Sequence, residues 1–163
     1  MTSKAKRILV PTDFTKVADC AMNHAAGLAE RTGALISILH IVSKPSELEE
    51  ARIKVGLEVE RAKKWSGQVS VEPLVRVGSV YEEIGNSASE IGAELIVMGT
   101  HGMRGMQFIT GSRALRVITN GKVPFIVVQE KNIGPEGYSN IVVPLDLQRE
   151  TRQKVALVAD MAR

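Results

Sequence analysis

Residues 94–129 read ELIVMGTHGMRGMQFITGSRALRVITNGKVPFIVVQ, and this stretch is the most informative part of the sequence about the fold. It opens with a short apolar run, residues 95–98, that stops at Gly99, which predicts a strand buried on both faces. A glycine-rich loop follows, and a helical pattern begins at Ser112. Residues 123–128 predict a second buried strand. Strand, glycine loop, helix and strand together are typical of the phosphate-binding half of a nucleotide-binding α/β unit.

The loop between these strands is suited to an anion. Its glycines are Gly99, Gly102, Gly105 and Gly111. They are expected to let the backbone take positive φ and approach a ligand closely. Main-chain amides and the positive end of the helix that begins at Ser112 would then point into one small volume. Glycines after a parallel strand often form only a tight turn, but their number here, with Gly-Ser at the helix start, favours a ligand.

The same loop resembles that of the universal stress proteins, whose ATP-binding members carry G-x2-G-x9-G-[ST] after the fourth strand. Gly99 and Gly102 match the first half of the pattern, and Gly111 with Ser112 matches the second. Residues 103–110 lie between the halves, so the loop is one residue shorter than the family pattern. The positions of the phosphate-contacting amides therefore need not follow the family.

Composition narrows the class of protein. The chain has 163 residues, of which 44% are hydrophobic and 24% charged, which suits a globular domain with a real core. No apolar run approaches the roughly 20 residues of a transmembrane helix, and no signal peptide is recognisable, so we expect no membrane partner and a cytoplasmic protein. The net charge of +3 and few aromatic residues argue against nucleic acid. Cys20 is expected to be a small core residue rather than a redox thiol.

The first predicted strand, residues 8–13, ends in Pro11, Thr12 and Asp13. Asp13 therefore lies at the carboxyl end of a strand, where open α/β sheets bind ligands. A single carboxylate there can instead cap the following helix, for which Thr15 is a competing cap. The resemblance implies that this Pro-Thr-Asp element places the acid near adenine, which favours the ligand role.

The next elements are a helix over residues 17–31, ended by Gly33, and a strand over residues 34–42. The side chains of His40 and Ile41 are expected to pack in the core or in a turn. What the resemblance implies for Ile41 is a role for its backbone, which can bind an edge of adenine.

Strands alternate with helices throughout, with a helix over residues 46–66, an edge strand over residues 69–77 that contains Pro73, and a helix from Ser79. This alternation predicts parallel strands joined by right-handed crossovers. The strand order is expected to reverse between the first and fourth strands, which brings Asp13 and the glycine loop to one crevice. The resemblance implies a Rossmann-like open five-stranded parallel sheet of order 3-2-1-4-5, with helices on both faces.

The chain changes character after residue 130. Residues 131–137 form a turn-rich linker, and residues 140–147 then repeat the pattern of residues 7–14. We therefore expect a universal stress protein domain over residues 1–130 and, at residues 138–163, the truncated first strand and helix of a second repeat, as in the tandem members of the family. The alternative is a C-terminal extension that packs on the first domain.

The leading functional hypothesis is a regulatory module, not an enzyme, that binds ATP or a related adenine nucleotide, with Mg²⁺ helping rather than required. The expected binding residues are Pro11, Thr12, Asp13, Ile41, Gly99, His101, Gly102, Arg104, Gly105, Gly111, Ser112 and Arg113. Gly102, Gly105 and Gly111 would give backbone access, Ser112 a hydroxyl, and Arg104 or Arg113 a positive charge for phosphate. His101 is either a further phosphate contact or an exposed loop histidine.

A homodimer is expected through the edge of the fifth strand and the tail, residues 138–163.

Two other functions remain as alternatives. An enzyme of phosphoryl transfer needs a positioned metal and a group that orients water. Residues 99–112 contain no acidic residue, so weak ATPase or autophosphorylation activity would depend on Asp13 alone. A protein-interaction module that has lost nucleotide would explain the short loop.

Overall fold

The computed structural model describes residues 6–65, 67–99, 123–134, 137–138, 140–143, 155 and 158–159. The chain divides into two compact units, Met1–Asn132 and Ile133–Arg163. The first unit contains a sheet whose strands are β1 (Arg7–Pro11), β2 (Leu35–Val42), β3 (Val71–Val77), β4 (Leu95–Gly99) and β5 (Phe125–Val128). All neighbouring strands pair in parallel, in the order β3-β2-β1-β4-β5. The predicted class and strand order are confirmed.

Three helices are described: α1 (Lys16–Thr32), α2 (Leu48–Trp65) and α3 (Val80–Ile91). A single turn of 3-10 helix, Pro45–Glu47, precedes α2. Helix α1 ends where predicted, because Gly33 takes φ 67°, a left-handed conformation that glycine adopts without steric cost. Its small buried residues allow α1 to lie close to the sheet.

One face of the sheet packs against α3. The buried cluster on this face consists of Leu9, Leu39, Ile84, Ala88, Ala93 and Ile96. Because alternate residues of a strand point to opposite faces, buried neighbours such as Val10 and Val97 pack on the other face. Right-handed crossovers from β1 to β2 and from β2 to β3 carry α1 and α2 across that second face. Helices therefore cover both faces, as predicted.

A polar cluster joins the three strands on one side of the sheet. Ser37, fully buried in β2, donates its hydroxyl hydrogen to Oε1 of Glu72 at 2.7 Å. Glu72 also pairs with Arg7 of β1. Ser37 and Glu72 are direct register partners, so the cluster fixes the alignment of β1, β2 and β3 while it satisfies a buried hydroxyl.

The edge strands are β3 and β5. Pro73 lies in β3, where the missing amide hydrogen is tolerated, as the sequence predicted. No helix in the described ranges is both long enough and apolar enough to cross a membrane.

The second unit is described only in part. Gly134 and Gly137 form an antiparallel bridge, with the Gly137 amide donating to the Gly134 carbonyl at 3.0 Å. Residues 140–143 are not in a strand, although the repeat pattern predicts one there. A strand requires a neighbour for its main-chain hydrogen bonds, and these residues have no ladder partner in the described part of the chain. Val155, Val158 and Ala159 have helical backbone.

Candidate functional site

The candidate site lies at the carboxyl ends of β1, β2 and β4. The strand order reverses at β1, because the chain proceeds from β1 to β2 in one direction and reaches β4 on the other side of β1. Open α/β sheets form a crevice at such a reversal, since the connections leave toward opposite faces. Asp13, Ile41 and Gly99 all lie at this edge of the sheet.

The strand register brings these residues to a similar height. Pro11 pairs with Leu39 in the last pair of the β1–β2 ladder, and Asp13 and Ile41 each follow two residues after this pair. Leu9 pairs with Ile96, so β4 runs beside β1 and ends at Gly99, next to the end of β1. Three neighbouring strands thus end at the same edge of the sheet, where a crevice is expected at the reversal of order.

The backbone amide and carbonyl of Ile41 point toward the side of β2 on which β1 lies, but beyond the last residue of β1. The Thr12 amide donates to the Leu39 carbonyl at 2.8 Å, which shows that Leu39 turns its main-chain groups toward β1. In a parallel strand alternate residues turn these groups to the same side, so Ile41 does likewise. The ladder between β1 and β2 ends at Pro11 and Leu39. The amide and carbonyl of Ile41 therefore point beyond the end of β1, while its side chain packs against the buried cluster under α3.

The turn between β1 and α1 holds Asp13 in place. Oδ1 of Asp13 accepts hydrogen bonds from the Thr15 amide at 3.1 Å and from the Thr15 hydroxyl at 2.5 Å. The Thr15 hydroxyl oxygen in turn accepts from the Ala18 amide at 3.4 Å and caps α1. Thr15, rather than Asp13, is therefore the cap of α1.

The Asp13 carboxylate retains accepting capacity. Both of its hydrogen bonds within the described part of the chain use Oδ1, and the residue is exposed. A carboxylate has about four lone-pair sites. Oδ2 is therefore able to accept from a ligand while Oδ1 remains fixed by Thr15.

Phe14 takes an unusual conformation in this turn. Its φ is 63°, the only positive φ of a non-glycine residue in the described ranges. The left-handed conformation costs an L-residue roughly 1 to 2 kcal/mol. The Phe14 amide donates to Oγ1 of Thr12 at 3.1 Å, and the Phe14 ring lies 4.4 Å from the ring of His40, centroid to centroid. The sequence does not predict this conformation, because an aromatic residue carries no signal for positive φ.

His40 packs on this turn, as the sequence predicted for its side chain. Nδ1 of His40 lies 2.8 Å from the carbonyl oxygen of Thr12. Since a carbonyl oxygen can only accept, Nδ1 carries the hydrogen. The ring tilts by 44° against Phe14.

The expectation that Gly99 takes a positive φ is wrong. Gly99 is not among the described glycines with positive φ. A Cβ added at Gly99 would lie 2.3 Å from Cγ1 of Val17 and 2.5 Å from the carbonyl oxygen of Val17. Only glycine fits at this position, because the end of β4 contacts the first turn of α1.

The other predicted site residues lie outside the described residues: His101, Gly102, Arg104, Gly105, Gly111, Ser112 and Arg113. Of the predicted set, Pro11, Thr12, Asp13, Ile41 and Gly99 are brought together at one edge. No group of three His, Cys, Asp or Glu side chains in the described ranges could hold a metal ion.

A surface cavity of about 620 Å³ lies beside α1, lined by Lys16, Asp19, Cys20, Asn23, Glu130 and Asn132. None of the described site residues lines it. Asp19 is paired there with Arg61. Burial, reinforced by the carboxylates of Asp19 and Glu130, raises the pKa of the Cys20 thiol. A buried, protonated thiol fits the predicted core residue.

Known proteins share this architecture. Residues 4–129 match the sequence model of the universal stress protein family. The chain is similar to Universal stress protein MJ0577 of Methanocaldococcus jannaschii, with 27% identity over 161 residues that cover 81% of this chain and 99% of the relative.

Two solved structures share the fold. One is a universal stress protein in complex with cAMP, with a TM-score of 0.64 and 22% identity, covering 79% of this chain and 100% of that chain. The other is the universal stress protein from Archaeoglobus fulgidus in complex with dAMP, with a TM-score of 0.60 and 22% identity, covering 76% of this chain and 97% of that chain. At these identities the likeness establishes the fold alone.

Proposed function

Since the chain belongs to the universal stress protein family, we propose that it is a regulatory module that binds ATP or a related adenine nucleotide in the crevice at the ends of β1, β2 and β4. The main support for this proposal is the position and exposure of the Asp13 carboxylate. Its carboxylate is exposed at the reversal of strand order, fixed through Oδ1 and able to accept through Oδ2. An acceptor held at this place suits the exocyclic amino group of adenine.

The backbone of Ile41 supports the same ligand. Its amide and carbonyl face the crevice beyond the end of β1, so they offer one donor and one acceptor side by side. Adenine offers the matching pair on one edge, where ring N1 accepts and the adjacent amino group donates one of its two hydrogens. Asp13 and Ile41 follow the ends of two neighbouring strands, and together they would contact one base.

The residues proposed to contact phosphate are inferred from the sequence alone. Gly102, Gly105 and Gly111 would give backbone amides access to phosphate, with Ser112 at a helix start as a further donor. Arg104, Arg113 and His101 are the candidate charged contacts. We propose that Mg²⁺ accompanies the nucleotide without a dedicated protein carboxylate, because residues 99–112 contain no acid.

The solved relatives agree with an adenine ligand. One was determined with cAMP and another with dAMP. The two ligands share adenine and differ in sugar and phosphate. A site that reads the base through Asp13 and Ile41 would accommodate both kinds of ligand.

We propose a regulatory rather than a catalytic role. Transfer of a phosphoryl group needs a positioned metal and a group that orients the attacking water. Asp13 is the acid nearest the crevice in the described turn, and the adenine interaction occupies it. A protein-interaction module without nucleotide is the second candidate, favoured by the loop being one residue shorter than the family pattern.

Native mass spectrometry with competing nucleotides tests the adenine site. ITP is the matched control, because a 6-oxo group replaces the 6-amino group of ATP and ring N1 becomes a donor instead of an acceptor. With equal concentrations of both, we expect the ATP complex to exceed the ITP complex by roughly tenfold, as for one charge-assisted hydrogen bond. Equal retention of both, or of neither, would contradict the proposal.

We also propose that the protein forms a homodimer through the β5 edge. Val127 in β5 is 48% exposed although it is apolar, and β5 ends the sheet. An edge strand offers unpaired amides and carbonyls to another chain. The tail, residues 138–163, which we take as the start of a second repeat, exposes further apolar side chains, with Val142 at 90%. Contact or exchange of this tail with the neighbouring subunit would cover them.

Light scattering at micromolar concentration measures this assembly. We expect a dimer mass for the parent and at least a roughly tenfold higher dissociation constant for Val127→Lys, which puts a charge on the paired edge. Deletion of residues 138–163 separates the two contacts, since loss of the dimer assigns it to the tail and retention assigns it to β5. A parent that stays monomeric as it is concentrated would overturn the proposal.

A further inference from the structure

We propose that His40 is the positioning residue of the crevice, because it clamps both neighbours of Asp13 and so fixes where the Asp13 carboxylate points. The inference rests on the proposed adenine site and names how its acceptor is held. His40 itself need not touch the ligand.

The first contact of the clamp is a hydrogen bond. Nδ1–H of His40 donates to the Thr12 carbonyl at 2.8 Å. This carbonyl is the last main-chain acceptor before Asp13, at the point where β1 leaves the sheet. Nδ1 carries hydrogen both in the required neutral tautomer and in the imidazolium form, so the bond holds in either charge state.

The second contact is with the residue after Asp13. The Phe14 ring lies 4.4 Å from the His40 ring. Phe14 has φ 63°, and a strained conformation of this kind persists only where the surroundings enforce it. The amide of Phe14 is also tied to Oγ1 of Thr12 at 3.1 Å. His40 thus contacts Thr12 and Phe14, and Asp13 lies between them.

The consequence is a preorganised acceptor. A turn held at both flanks presents the carboxylate in one orientation before the ligand arrives, so less conformational freedom is lost on binding. Without the clamp, Phe14 would relax to negative φ, and the hydrogen bonds from Thr15 to Asp13 would no longer be held in place.

Two substitutions separate the hydrogen bond from the bulk of the side chain. His40→Asn keeps an N–H donor at the position of Nδ1, and His40→Leu keeps similar volume without a donor. Amide hydrogen exchange tests the clamp without any ligand. We expect the Phe14 and Thr15 amides to exchange roughly tenfold faster in His40→Leu than in His40→Asn, with Ala25 inside α1 unchanged as the reference. Equal exchange in both variants would overturn the clamp, whether or not nucleotide binds.

Titration with ATP tests the effect on the site. We expect affinity to fall about tenfold in His40→Leu and less than about threefold in His40→Asn, the difference made by one hydrogen bond. In an Asp13→Ala background, His40→Leu should weaken binding by less than about twofold further, because coupled residues do not add. A full tenfold loss in that background would show that His40 acts on general stability and would overturn the positioning role. A parent that binds no ATP refutes the adenine site instead, and hydrogen exchange still decides the clamp.

Discussion

Gly99→Ala is expected to lower the free energy of unfolding by about 3 kcal/mol, at the upper end of what overpacking of a core costs. The added methyl would lie 2.3 Å from Cγ1 of Val17 and 2.7 Å from its carbonyl carbon. A side-chain tip can rotate away, but the backbone of Val17 belongs to the first turn of α1. The substitution therefore forces α1 away from the end of β4. Urea unfolding followed by circular dichroism measures the loss.

Gly56→Ala is the matched control. Gly56 lies within α2, and a Cβ added there meets no atom within 4 Å. Alanine favours helix, so the free energy of unfolding of this variant is expected to rise by about 0.5 to 1 kcal/mol. If Gly99→Ala proves as stable as the parent, the contact between β4 and α1 is wrong.

Asp13→Ala is expected to weaken ATP binding roughly tenfold to a hundredfold, the range for loss of a hydrogen bond to a charged group. Asp13 is exposed, so its truncation should leave the fold intact. Asp13→Asn should lose a similar amount, because an amide nitrogen facing adenine would meet another donor. Calorimetric titration of the three proteins measures the difference.

ITP again provides the control for this variant. Its 6-oxo group, at the position that Asp13 would face, cannot donate, and its N1–H lies on the edge assigned to Ile41. ITP affinity should therefore change by less than about threefold on Asp13→Ala, since no hydrogen bond to Asp13 is lost. An equal loss for ATP and ITP would place Asp13 away from the amino group. Unchanged ATP affinity would mean that the crevice lies elsewhere.

The layout of the sheet was predictable because it depends on local patterns. Short apolar runs such as residues 95–98 form strands wherever both faces are covered. Gly33 and Pro73 mark a helix end and an edge strand through properties of single residues. The position of Asp13 followed from the same patterns, because the sequence predicts both the end of the first strand and the reversal of strand order.

Contacts between distant segments were not predictable. Gly99 resembled a loop glycine, and its real constraint comes from Val17, which lies in another element. Asp13 and Thr15 are both good caps, and only the geometry of the turn selects Thr15. The pairing of His40 with Phe14 depends on a positive φ that a phenylalanine does not signal.

Calorimetric titration of the parent protein with ATP measures whether the chain binds an adenine nucleotide at all. We predict saturable binding at one site per chain, in the micromolar range or weaker, with Mg²⁺ strengthening but not enabling it. We further predict that ITP binds at least about tenfold more weakly, because it lacks the amino group that Asp13 would accept from. No heat with ATP at millimolar concentration, together with no displacement of a bound adenine nucleotide, would contradict the account.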